Sequence, residues 1–431
     1  MKLIPFSDES VDMIDWISND NTTNCIPSPK WNAKTSNVVG QIFNDIIRAN
    51  DYVQKAKREK GLGFYNVDIQ LITERREIPV PDTFNMNSIP EGIKSYIEAE
   101  SSCYLSYKTQ INGKSLNVNF ILNSMDPFSH VCVFNKYFDR IVTWMHIANR
   151  YASNKCGKDL TVFLYLTPFK KELPKTQLDI IGQEHANTAF TYTCPNKTSE
   201  IVIFREEEWL KVFIHETFHN LSLDFSCLDV KNMCSQIMKN IFPIESDFLL
   251  FEAYTEAWSV IINTCLCTYF CFDHTKTLDP FTQTLKFLLG FECLFKIFQM
   301  NKILQFMGLD YSLLYSMSSR SKKARETLYK EDTNIFAYHV ATTILLCNYP
   351  MFIEWCDTNN MHAMLFKKTT ANVESFCEFI SKKHNSEYTL RIINNVDKKN
   401  GCYGKMMKNG RKVDLNIDID KTMRMTICEM S

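Results

Sequence analysis

The chain has 431 residues, of which 45% are hydrophobic and 23% charged, and these proportions are typical of a globular protein with a large core. Its formal net charge of −1 and pI near 6.7 exclude the strongly basic balance of proteins that bind nucleic acid or anionic membranes. The length permits two or three domains, or one domain in two lobes.

The cysteines and the start of the chain bear on the cell compartment. Sixteen cysteines are scattered without the spacing of a disulfide framework, so we expect them to be mostly reduced and buried in a cytoplasmic protein. Because Asp8 and Glu9 come early in the sequence, we expect no secretory signal. The uncharged stretch from Ala257 to Phe272 is shorter than the roughly 18–20 residues that span a bilayer, so it predicts a buried core helix and no membrane partner.

The N-terminal part of the chain predicts a sheet. Residues 1–30 are polar with scattered prolines and predict a loosely ordered arm, and residues 31–205 predict a sheet-bearing lobe. In chain order we expect a helix over 37–61, a strand over 67–73, a hairpin over 103–122, a helix over 127–154, and strands over 160–166, 187–192 and 200–204. Asn112-Gly113, inside the hairpin, is typical of a type I′ turn.

The C-terminal part, residues 206–431, predicts a helical lobe. Its expected helices cover about 206–222, 228–240, 245–272, 279–306, 333–348, 370–384 and 386–396. The change from strands to helices predicts an α+β fold with a mixed sheet. The 206–222 helix lies at the seam between the predicted lobes, and clefts between lobes are common places for ligand sites.

The sequence HETFH in this helix contains two candidate metal ligands and a candidate general base. His215 and His219 are four positions apart, so their imidazoles project from one helix face and can reach a single metal ion. Glu216 follows the first histidine and is placed to hold a metal-bound water and accept its proton as a general base. The spacing predicts one catalytic Zn²⁺ ion that needs a third protein ligand.

Two extensions of the motif offer that third ligand. The metzincin form needs a third histidine six positions after the second, but Phe225 stands there, and Ser222 replaces the required glycine. The other extension is a glutamate on a later helix. Glu252 and Glu256 lie four apart within FEAYTEAWS, an otherwise apolar segment in which a buried carboxylate needs a partner.

HETFH followed by FEAYTE resembles the gluzincins, the thermolysin-like branch of zinc metallopeptidases, and the resemblance covers roughly residues 187–259. It implies a zincin-like fold and hydrolysis of peptide bonds. It also implies that Glu252 binds zinc, and that Glu256 either orients a ligand histidine from outside the metal shell or is itself the metal ligand.

The resemblance extends to the segment before the motif. NTAFTY is similar to the gluzincin edge strand that pairs with the substrate backbone, which implies that Asn187, Ala189 and Phe190 bind a peptide. Gluzincins also stabilise the oxyanion with a residue from the helical lobe. Tyr338 and His339 are the candidates for that catalytic role, although both also fit a packing role on a core helix.

The composition and one stretch of the sequence resemble a second group of proteins. The abundance of Asn, Lys and Ile and the stretch REEEWLKVFIHETFHN are similar to an uncharacterised family of large DNA viruses of eukaryotes, which implies a viral protein of the host cytoplasm or virion. Two alternatives to a peptidase stay open: a catalytically silent virion or scaffold protein with a zincin fold, and a zinc hydrolase of a non-peptide amide or ester. The expected partner is a peptide or protein substrate, and the oligomeric state is not predicted.

Overall fold

The computed structural model describes residues 5–18, 27, 29–61, 65–124, 126–196, 198–396 and 418–431. The fold is α+β with a mixed sheet. The chain forms two compact units. We call Gly40–Lys170 with Asn187–Cys227 the sheet unit, and Met1–Val39 with Lys171–Ala186 and Leu228–Ser431 the helical unit. The boundary predicted at residue 205 falls inside the sheet unit.

Eight strands are described. Their bounds are β1 Asn66–Leu71, β2 Cys103–Ile111, β3 Lys114–Leu122, β4 Asp159–Tyr165, β5 Ile181–Gly182, β6 Ala189–Thr191, β7 Ser199–Ile203 and β8 Glu331–Asp332. Six of them form the sheet of the sheet unit in the order β1-β2-β3-β4-β7-β6. The β3–β4 and β4–β7 pairs are parallel and the other pairs are antiparallel, so the sheet is mixed. In the helical unit, β5 and β8 form a two-stranded parallel sheet.

The predicted hairpin is confirmed. β2 and β3 pair in register from Cys103↔Leu122 to Ile111↔Lys114, with Asn112 and Gly113 as the two-residue turn. Their φ angles are 54° and 77°, which is the left-handed conformation that both central positions of a type I′ turn require. Asparagine and glycine adopt this conformation at low cost, so the turn is a local property of these two residues.

Fourteen α-helices are described. Their bounds are α1 Asp8–Ser18, α2 Ala33–Lys60, α3 Glu91–Glu100, α4 Pro127–Ala148, α5 Gln183–Ala186, α6 Trp209–Asn220, α7 Lys231–Lys239, α8 Leu250–Cys271, α9 Leu278–Phe306, α10 Tyr311–Tyr315, α11 Ser319–Leu328, α12 Thr342–Cys347, α13 Tyr349–Asn359 and α14 Thr370–Lys383. Short 3₁₀ helices cover Arg75–Glu77, Met86–Ser88 and Asp273–Lys276, and residues 387–396 are also helical.

Helices pack on both faces of the six-stranded sheet. On one face, Ile93 and Ile97 of α3 pack with Phe163, Val202 and Phe204 in one buried cluster, which we call the α3 face. On the other face lie α4 and α6, which contact β2, β3, β6 and β7. Because side chains of a strand alternate between faces, each strand supplies residues to both layers.

A disulfide joins Cys156, before β4, to Cys194, after β6. Mostly reduced cysteines were expected, and this pair is an exception. The two residues are 38 apart in sequence and meet only because the sheet brings their loops together, which spacing alone does not reveal. The other twelve described cysteines are free and most of them are buried.

The helical unit is built around apolar helices. α8 is buried on all sides from Ala253 to Phe270, which is how a core helix differs from a surface helix with one apolar stripe. The prediction of a buried core helix here is confirmed. No single helix in the described residues is long and apolar enough to cross a membrane. One pair of helical segments, Phe336–Cys347 and Tyr349–Asn359, is bent by 92° and has the length and composition of a membrane span only when the two are taken together.

Two segments differ from the predicted elements. Within the predicted loose arm, α1 forms because Met13 and Ile17, one turn apart, are both buried. The helix expected over 333–348 begins as a π-helix, Phe336–Ala341, and continues as α12. Hydrogen bonds to residues five positions away define a π-helix, a local widening that hydrophobic spacing does not signal.

A half-buried carboxylate, Glu331, lies five residues before the π-helix. Glu331 accepts hydrogen bonds from the hydroxyl of Tyr329 at 2.9 Å and from the main-chain N–H of Phe336 at 2.8 Å. Burial nevertheless raises the pKa of Glu331 to about 7, because removal from water disfavours the charged form more than these donors favour it.

Candidate metal centre

The HETFH motif lies on α6, and every residue of this helix is buried. Trp144 of α4 donates from its indole nitrogen to the hydroxyl of Thr217 at 2.6 Å and stacks on Phe218 with 6.0 Å between ring centroids. These contacts anchor one side of α6 to α4. They therefore fix the rotation of the helix about its axis, and with it the direction of His215 and His219.

The two histidines converge. The Nε2 atoms of His215 and His219 are 3.1 Å apart, and the rings meet edge to face with 4.9 Å between centroids. Two nitrogens that each lie about 2.0–2.1 Å from one tetrahedral zinc ion are about 3.3 Å apart, so the observed spacing suits shared ligation. Both residues are less than a tenth exposed.

The chain reverses immediately after α6. Ser222 has a φ of 54°, its N–H donates to the carbonyl of His219 at 2.9 Å, and the N–H of Leu223 donates to the carbonyl of Phe218 at 2.8 Å. This pair of bonds is the Schellman motif, which ends a helix and turns the chain back along it. The turn brings Asp224 against the last turn of α6.

Asp224 holds one of the two histidines. Its Oδ2 lies 2.5 Å from Nδ1 of His219, and its Oδ1 accepts from the hydroxyl of Ser226 at 2.9 Å. Asp224 is fully buried. A carboxylate on Nδ1 selects the tautomer with the proton on that nitrogen, which leaves the Nε2 lone pair directed at a metal. Asp224 was not predicted from the sequence, because serine rather than glycine occupies the left-handed position of the turn.

Glu252 is the third member of the group. It lies in the first turn of α8 and is half-buried. One ligand atom from each of His215, His219 and Glu252 lies within 4.8 Å of the other two. Two imidazole nitrogens and one carboxylate oxygen are a donor set that zinc accepts in catalytic sites. The residues therefore fit the predicted ion by donor chemistry and by spacing.

Glu256, the alternative acid, lies one turn further along α8 and has a different neighbour. Its Oε1 accepts from Nζ of Lys296 on α9 at 2.8 Å, and neither side chain is exposed. A buried carboxylate needs such a partner, and the pair joins α8 to α9. Of the two predicted acids, Glu252 is the one grouped with the histidines.

The remaining catalytic candidates lie at two places. Glu216 is buried on α6, next in sequence to His215. Tyr338 and His339 lie in the π-helix, and Tyr338 is half-buried with its hydroxyl 3.5 Å from Nδ2 of Asn334. His339 is fully buried and burial holds its pKa well below the usual range, so its imidazole is neutral. A fully buried ring contacts no substrate in this conformation.

The predicted substrate-binding residues lie at the edge of the six-stranded sheet. β6 is the last strand in the sheet order, which confirms the prediction of an edge strand. It carries Ala189 and Phe190, and Asn187 precedes it with its carbonyl 3.2 Å from Nε of Arg205. Along the described part of the chain, no further strand pairs with β6 on its outer side.

The outer side of β6 presents main-chain groups. The N–H of Phe204 donates to the carbonyl of Thr188 at 3.0 Å, which makes these two residues a hydrogen-bonded pair of the antiparallel ladder. Such pairs alternate along the ladder, so Phe190 bonds to β7, whereas the N–H and C=O groups of Ala189 and Thr191 point away from it.

In comparisons with known proteins, no protein-family model, curated protein or solved structure matches the chain.

Proposed function

We propose that the protein is a zinc-dependent metallopeptidase of gluzincin type with a zincin-like fold. The observation that carries the proposal is the 3.1 Å separation of the Nε2 atoms of His215 and His219, with an oxygen of Glu252 in the same group. Three protein ligands of these types leave a fourth tetrahedral position for water, which is the arrangement of a catalytic site rather than a closed structural one.

Each residue then has a defined task. When bound, zinc polarises the substrate carbonyl and lowers the pKa of its water to about 7. Glu216 would accept a proton from the attacking water at its carboxylate and pass that proton to the leaving amine. Asp224 keeps Nε2 of His219 unprotonated and directed at the ligand position.

Peptide binding is assigned to β6. An extended peptide that pairs with this edge would bond to the outward main-chain groups of Ala189 and Thr191, which supports a peptide over a small amide or ester as the substrate. Tyr338 is the proposed donor to the oxyanion, because its phenol is half-buried whereas the neighbouring His339 is enclosed.

The test compares three variants for zinc content, melting temperature and cleavage of a mixed peptide library. Glu216→Gln keeps the shape of the side chain and removes the base, so we expect unchanged zinc and a fall in hydrolysis of about 10²–10⁴-fold. His219→Ala removes a ligand and should lose zinc and activity together. Glu245→Gln makes the same chemical change at an exposed carboxylate and should leave all three quantities unchanged.

Three results would contradict the proposal. Unchanged turnover in Glu216→Gln would show that this carboxylate is not the base. Absence of both zinc and cleavage in carefully purified wild-type protein would favour a silent scaffold. A zinc ion whose removal lowers stability but affects no turnover would be structural.

A further inference from the structure

Aromatic rings lie beside the outer edge of β6. Phe84, Phe190 and Tyr192 form an aromatic patch: Phe84 stacks on Tyr192 with 4.4 Å between centroids and an interplanar angle of 12°, and it meets Phe190 at 4.7 Å. Tyr192 is 53% exposed, whereas Phe84 and Phe190 are half-buried. Two rings of the patch are therefore held by packing, and the third is exposed to solvent.

The loop that carries Phe84 is held in place by a buried acid. Glu200 of β7 is 2% exposed, and its carboxylate accepts from the main-chain N–H groups of Asp82 at 2.9 Å and Thr83 at 2.8 Å. The hydroxyl of Thr83 donates to the same carboxylate. Charge-assisted bonds to two successive main-chain N–H groups fix the loop on the sheet, so Phe84 is a preorganised ring.

The patch lies on a defined side of the sheet. Phe84 and Phe190 both pack against the buried cluster of the α3 face. Thr191, the neighbour of Phe190 in β6, points to the opposite side, where its hydroxyl accepts from Nδ2 of Asn220 at the end of α6. A strand added beside β6 has the same alternation, so every second side chain of a bound peptide points toward the patch.

The outward N–H and C=O groups of Ala189 and Thr191 determine the register of an added strand. Peptide residues opposite Ala189 and Thr191 would form the hydrogen-bonded pairs, which leaves the residue between them opposite Phe190 as a non-hydrogen-bonded pair. In such pairs the Cα atoms are about 4.5 Å apart and the side chains are closest. That one side chain would lie against Phe190, with Phe84 and Tyr192 beside it.

We propose that the aromatic patch is a specificity subsite that selects an aromatic or large aliphatic side chain at the peptide position opposite Phe190. The inference rests on the proposed peptidase function and names its preferred substrate class: extended peptides with such a residue at one position and no strong requirement at the two flanking positions, whose side chains point to the other face.

The test separates binding from cleavage. Glu216→Gln protein, loaded with zinc and immobilised, is used to select from a library of peptides with three successive randomised positions. We expect one position to become enriched in Phe, Tyr, Trp and Leu. Adding Tyr192→Ser should reduce that enrichment about fivefold to tenfold, because a stacked ring partner is lost. Tyr192→Phe should keep the enrichment, since it keeps the ring.

The control substitution is Phe287→Ser on α9. Phe287 is 52% exposed, nearly the same as Tyr192, but it belongs to the helical unit and is not part of the aromatic patch, so the enrichment should not change. Selection without enrichment at any position, or enrichment that survives both Tyr192→Ser and Phe84→Ser, would overturn the subsite. Those outcomes leave the peptidase proposal standing, because wild-type cleavage and zinc content are measured separately.

Discussion

Replacing Asp224 by Asn tests whether this carboxylate strengthens zinc binding at the proposed metal site. The amide has the same shape and still accepts a hydrogen bond from Nδ1 of His219, but it lacks the negative charge. Hydrogen bonds to charged groups contribute about 1.5–3 kcal/mol, and neutral ones about 0.5–1.5 kcal/mol. The difference of about 1–1.5 kcal/mol corresponds to roughly tenfold weaker zinc binding, at the lower end of the 10–100-fold effect usual for such partners.

The assay is zinc affinity by competition with a chelator at constant pH, together with the melting temperature of the zinc-free protein. Asp229→Asn is the matched control, because Asp229 is an exposed acid five residues further along the chain. Equal zinc affinity in wild-type, Asp224→Asn and Asp229→Asn proteins would refute the reasoning. A loss of zinc accompanied by a collapse of the melting temperature would assign Asp224 a folding role instead.

Two further predictions concern stability. The folded-state pKa of Glu331 is raised from 4.5 to about 7, so the folded protein holds this proton more tightly than the unfolded chain. As the pH rises from about 4.5 to above 7, the unfolding free energy of the wild type should therefore fall by about 3 kcal/mol relative to that of Glu331→Gln, which urea titrations of both proteins measure. The difference between the wild type and the exposed control Asp332→Asn should show no such trend. Gly113→Ala should cost about 1–2 kcal/mol from the positive φ alone. Gly157→Ala has similar strain and also places its Cβ 2.5 Å from Leu221, so it should cost about 1–3 kcal/mol more, and equal losses would contradict the close approach.

Features determined by neighbouring residues were predictable from the sequence. The Asn112-Gly113 turn follows from two residues that tolerate positive φ, and the pairing of His215 with His219 follows from the helical repeat. The order of strands before α6 was also visible, because alternation and burial leave a direct trace in the pattern of apolar residues.

Features determined by contacts distant in sequence, or by an unusual turn residue, were not. The Cys156–Cys194 disulfide depends on which strands become neighbours, and the ion pair of Glu256 with Lys296 depends on the packing of two helices. The reversal at Ser222 uses a residue that rarely takes a left-handed conformation, so the sequence carried no glycine to mark it. The approach of Asp224 to His219 depends on that reversal.

The Schellman turn after α6 places both histidines and the aspartate that orients one of them within a single segment of ten residues, 215–224. Its internal contacts span at most a few residues of sequence, so loop closure costs little entropy and the arrangement forms together with its own helix. In the proposed metal site, two of the three ligands and the orienting carboxylate would therefore be positioned by local contacts, and only Glu252 depends on a distant part of the chain. The segment is short enough to transfer as one piece into another helical scaffold.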